Sequence, residues 1–124
     1  MSRVHLHGVK SDGSWAPFRM ADVFKGVFNS SINGAAGIAA WTPGTGKRIR
    51  IMGIIANGAT AGTINFYDNT VGATQVLAVG ITTNQSTVVD LGPHGLPLTA
   101  GNPLYVSGPA GLSNVNVYGV EETP

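Results

Sequence analysis

Arg48-Ile-Arg-Ile-Met-Gly-Ile-Ile-Ala-Asn-Gly-Ala-Thr-Ala-Gly-Thr-Ile-Asn-Phe-Tyr-Asp68 is the stretch that decides how this chain reads. Arg48 and Arg50 alternate with Ile49 and Ile51. That period of two sends one set of side chains to a core and the other to water. The apolar run thickens through Ile54 and Ile55, and Asn57-Gly58 and Ala61-Gly62 then break it with residues that tolerate positive φ. Ile64 and Phe66 resume the alternation, with Asn65 on the opposite face. The stretch therefore reads as strand, turn, strand.

The same grammar continues downstream. Residues 47–124 read as seven strands, at about 47–56, 62–68, 75–82, 86–91, 96–99, 103–107 and 113–121. Turn signals such as Gly92-Pro93-His94-Gly95 and Gly108-Pro109-Ala110-Gly111 separate them. Short strands at this spacing predict an all-β fold, a single antiparallel β-sandwich or barrel. Leu96 and Leu98 beside Pro97 suit a short edge strand, where a missing N–H does least harm.

Residues 1–46 lack that grammar and are expected to form an extended N-terminal arm, irregular, with one short strand near Arg3–Val9. Met20, Val23, Phe24 and Val27 sit at helical spacing, which fits a short helix, although Gly26 and the β-branched residues leave a strand as the alternative. Asn29 to Ala40 is rich in small residues and has too little side chain to build a core alone. The division expected is therefore an arm, 1–46, and a β-sandwich domain, 47–124. Removal of residues 1–40 is expected to leave the domain folded.

Bulk composition agrees with a β protein of unusual surface. The chain has 124 residues, 18 of them glycine, and only 10% charged residues, against roughly 25% in ordinary domains. Cysteine is absent, so there is no disulfide framework and no thiolate metal site. Met1–Gly8 shows no apolar leader, and no run approaches the length of a membrane-spanning helix. The seven Lys and Arg residues all precede position 51, whereas Asp68, Asp90, Glu121 and Glu122 follow it. Either the bases form a solvated face, or a basic N-terminal region docks on an acidic surface of a neighbouring subunit or larger partner. Nucleic acid fits less well, because the bases are dispersed and lack interleaved aromatics.

No catalytic constellation emerges. Gly44-Thr45-Gly46-Lys47-Arg48 invites a phosphate-loop reading and fails it: Trp41 stands where the first glycine belongs, and Arg48 where Ser or Thr belongs. His5 and His7 share a strand face but have no third ligand nearby; His94 lies in a distant turn. Solvent-exposed histidines are the plainer reading. Each of the four late carboxylates ends a strand, where solvation accounts for it, and no Ser sits in a nucleophile elbow. The chain is thus read as no enzyme, with no cofactor and no metal. Trp41, Tyr67, Tyr105 and Tyr118 could serve a glycan-binding face, though tyrosines on half-buried strands are more often packing or interface residues.

Lys47-Arg48-Ile49-Arg50-Ile51, Gly62 to Asn69, Gly95 to Val106 and Asn116 to Val120 together resemble the small β-sandwich virion proteins of tailed bacteriophages, capsid decoration (cement) proteins above all. The likeness is one of strands and turns over residues 47–121. It implies a jelly-roll-like sandwich, often a trimer, on the capsid surface after assembly in the host cytoplasm. Its partners would be the major capsid protein or other virion subunits, with no nucleic acid and no membrane. The arm residues expected at the assembly interface are Arg3, Trp15, Phe18, Arg19, Phe24, Lys25 and Phe28; Trp41, Lys47, Arg48, Arg50, Tyr67, Tyr105 and Tyr118 are the further surface candidates. A tail or head–tail accessory subunit and a carbohydrate-binding module are the alternatives.

Overall fold

The computed structural model describes residues 7–9, 15–17 and 25–124. Among them there is no helix. β1 (His7–Val9) and β2 (Trp15–Pro17) pair with each other. The remaining strands form two antiparallel sheets packed face to face, a β-sandwich. One sheet holds β4 (Ile38–Trp41), β10 (Leu104–Ser107), β6 (Gly62–Asp68) and β7 (Thr74–Ile81), in that spatial order. The other holds β3 (Lys25–Asn33), β11 (Leu112–Glu122), β5 (Arg48–Gly58) and β8 (Thr87–Asp90), with the two-residue β9 (Leu96–Pro97) also on β5.

The pairing is that of one long hairpin wrapped on itself. β6 pairs with β7, β5 with β8, β4 with β10 and β3 with β11. Contacts of β11 with β5 and of β10 with β6 then close the wrap. Nested pairs distributed over two sheets are the jelly-roll arrangement. All seven expected strands in 47–124 fall within two residues of the observed ones, the expected 96–99 shortening to Leu96–Pro97.

The first two strands of the roll lie inside the expected arm. β3 and β4 close the open edges of β11 and β10, and Ile32, Ala40 and Trp41 belong to the core. Residues 25–41 are therefore part of the sandwich. Lys25–Val27 are strand, the alternative to a helix at that point; the rest of the segment with helical spacing lies outside the described residues. Deleting residues 1–40 would strip a whole edge from one sheet and most of an edge from the other.

Sequence alternation accounts for the core, with one interruption. Ile49 and Ile51 point inward, as do Ile54 and Ala56. The phase changes between them because β5 carries one extra residue: Tyr118 faces Gly53, but Gly119 faces Ile51. This bulge keeps both ends of β5 facing the core and turns Ile55 to the outside. Phe66, Ile64, Leu104, Val106, Val115 and Val117 complete the interior.

Candidate functional site

Two features stand out at the surface. The first is a charged end of the sandwich, built by β11 and β5. Glu121 faces inward there, opposite Ile49. Its carboxylate accepts hydrogen bonds from Lys25 Nζ (2.8 Å), Trp41 Nε1 (3.3 Å) and the Gly44 N–H. Lys25 Nζ also stands 5.6 Å from the centre of the Trp41 ring, within cation–π range. Burial pushes the Glu121 carboxyl up. The Lys25 hydrogen bond, those from Gly44 and Trp41, and the Lys25 charge outweigh it and hold the pKa below its ordinary 4.5. Next to it, on the outward side, Glu122 accepts from Arg48 (3.4 Å) and from Arg50 Nε, and Arg50 Nη1 donates to the His94 carbonyl at 2.6 Å.

Glu121 and Glu122 are thus not idle strand-end carboxylates, as position alone suggested. Strand pairing brings each against bases far away in sequence. Asp68 is likewise engaged, accepting from the Thr99 N–H and hydroxyl and from Asn102 Nδ2, which ties the end of β6 to the loop before β10. Asp90 accepts from the Gly92 N–H. These carboxylates hold the fold's ends and loops together. Among the described residues, no three His, Asp or Glu side chains gather where a metal ion could bind.

The second feature is the outer face of the five-stranded sheet. Phe28, Asn116, Ile55 and Val88 lie in register across β3, β11, β5 and β8. Phe28 and Val88 are each 65% exposed, and Ile55 37%. A neighbouring row reads Gly26, Tyr118, Gly53, Asp90. The Tyr118 ring lies over Gly53, in the space a β-carbon there would fill. Leu112, exposed on the same face of β11, borders a shallow hollow of about 540 Å³ lined by Asn57, Asn84 and Asn114. Asn114 Nδ2 donates to Asn57 Oδ1 at 2.8 Å.

The expected site residues scatter around this body. Tyr67 and Tyr105 are cross-strand neighbours on the outer face of the four-stranded sheet, both half-buried. Tyr118 is on the opposite outer face. Trp41 is only 3% exposed, so it is no surface contact; its ring fills the core edge and its N–H is taken by Glu121. The four aromatics therefore do not form one stacking platform. Lys25, Arg48 and Arg50 are spent on internal ion pairs, and Lys47 Nζ donates to the Thr123 hydroxyl. Phe28 is exposed. Trp15 lies on β2, and Arg3, Phe18, Arg19 and Phe24 lie outside the described residues. Sequence reasoning missed Ile55 and Val88, whose register across strands shows only once the pairing is known. Comparisons with known protein families, with curated proteins and with solved structures find no match.

Proposed function

We propose that the chain is a non-enzymatic structural subunit that works by protein–protein association, and specifically a capsid decoration (cement) protein of a tailed bacteriophage. The observation that carries the reading is the in-register apolar row Phe28–Ile55–Val88 on a sheet face. Ile55 and Val88 adjoin and Phe28 stands across Asn116 from them; exposed apolar side chains gathered on one face in this way mark interaction sites. The jelly roll supports it by analogy, since viral capsid domains use this architecture, as do lectins and cupins; fold by itself does not fix function. The virion assignment rests on the sequence resemblance over residues 47–121. Stabilisation would follow from mass action: a subunit that binds only the assembled shell shifts the equilibrium toward it.

Internal pairing of Lys25, Arg48 and Arg50 moves weight from electrostatic docking to apolar contact. The prediction is therefore weak salt dependence of partner binding. A tail or head–tail accessory subunit would use the same surface. The Asn57–Asn84–Asn114 hollow is what favours a carbohydrate-binding module, and the dispersal of the tyrosines is what opposes it.

The test is to purify particles on a density gradient from cells that make the chain, then image them. A decoration protein bands with the shell protein at a fixed ratio and sits on the shell exterior. Location on the tail selects the accessory reading. Recovery only in the free fraction, together with a strong hit on a glycan array, rejects the structural one.

A further inference from the structure

We propose that the outer face of the five-stranded sheet is a two-fold interface with a second copy of this chain. Three observations meet on this face. The first is the row itself: of the four large apolar side chains that stand exposed among the described residues, Phe28, Ile55 and Val88 are in one register line and Leu112 is on the same face. An interface core of aromatic and aliphatic groups with neutral amides beside it is a common pattern at protein contacts, and Asn116, Asn114 and Asn57 supply the amides.

The second is charge. Among the described residues, the ionised groups on this face are Arg48 and Arg50 against Glu122 and Asp90. They sum to zero, and the apolar row carries none of them. A neutral, apolar-centred face meets its own copy without like-charge repulsion. A strongly acidic or basic partner would find nothing here to match it.

The third is area. β5 and β11 each run eleven residues, about 36 Å at about 3.3 Å per residue, and four strands at about 4.8 Å span about 19 Å. β3 and β8 are shorter, at nine and four residues, so the face is about 550 Å² in flat projection, about two-thirds of the roughly 800 Å² that each partner contributes to a stable interface. Self-complementary contact of one patch with itself is the isologous geometry of a closed dimer, and two such sheets would stack about 10 Å apart, as sheets do inside a sandwich. This departs from the trimer that the resemblance implies. It is also independent of the virion reading: a dimer that binds no particle would sink that reading and leave this one standing.

The experiment is sedimentation equilibrium of the full chain over a wide concentration range, with Val88→Lys, Phe28→Lys, and Ala78→Lys on the exposed part of the other sheet as the control. The wild type is expected to be a dimer. Val88→Lys and Phe28→Lys should each weaken it at least about 100-fold, since both copies then bury an unpaired cation, while Ala78→Lys leaves it intact. Circular dichroism checks that each variant is folded, and Val88→Thr replaces Val88→Lys if the latter is not, with a smaller weakening expected in the same direction. A monomer at every concentration, as when the face is covered by another segment of the same chain, overturns the proposal. So does a trimer, or a dimer indifferent to folded variants at Val88 and Phe28.

Discussion

Lys25 Nζ and Glu121 Oε2 stand 2.8 Å apart although 96 residues separate them in sequence. The pair joins the first strand of the roll to the last and accounts for part of the charge segregation along the chain. Bases early and acids late meet because β3 and β11, and β5 and β11, are antiparallel neighbours. Lys25 is half exposed, so the ion pair itself contributes little; the shared hydrogen bonds to Trp41 and Gly44 matter more. Glu121→Gln should lower stability by about 1 kcal/mol, which a melting curve would register as a drop of about 4 °C. An unchanged melting temperature would mean that the carboxylate is dispensable.

The same group gives a pH dependence. Folded Glu121 holds its proton less tightly than it does unfolded. Its contribution is therefore complete above the ordinary value of 4.5 and is lost as pH falls through the lower folded value. Melting curves at pH 7 and pH 3 should show a larger loss for the wild type than for Glu121→Gln. Equal losses would place the acid sensitivity elsewhere.

Two glycines should differ sharply on substitution by alanine. A β-carbon on Gly53 would strike the far end of the Tyr118 ring, which can swing outward. On Gly119 it would strike the carbonyl oxygen of Arg50, held in place by the bulge. Gly53→Ala is expected to cost about 1 kcal/mol and Gly119→Ala about 3 kcal/mol or the fold itself. Urea titration measures both, and Tyr118→Ala should remove most of the Gly53→Ala penalty.

Burial of Trp41 makes a further prediction. Trp41→Ala should destabilise by about 3–5 kcal/mol, whereas Tyr105→Ala, on a half-exposed outer face, should lose about 1 kcal/mol. Chemical denaturation that ranks them the other way would show that Trp41 lies at the surface.

Period-two alternation made the strands after Lys47 readable, because each carries large apolar residues on one face only. β4 and most of β3 escaped notice for the opposite reason. Ile32 and Ile38 are their only large aliphatics beyond Val27, and the strand Ala39 and Ala40 help to form shows no contrast between its faces. Ile54-Ile55 read as a thickened apolar run because the extra residue at the bulge cannot be seen until β11 is laid beside β5. The aromatic candidates were legible by type but not by place. Only the pairing shows that Tyr67 and Tyr105 adjoin, that Tyr118 lies on the far side, and that Val88 lines up with Phe28.

The most direct test of the structural role is the heat resistance of particles with and without the chain. Particles from cells lacking it should release their contents at a lower temperature, and adding back the purified full chain should restore the wild-type value. Particles equally heat-resistant in its absence, or unaffected by its return, would contradict the account.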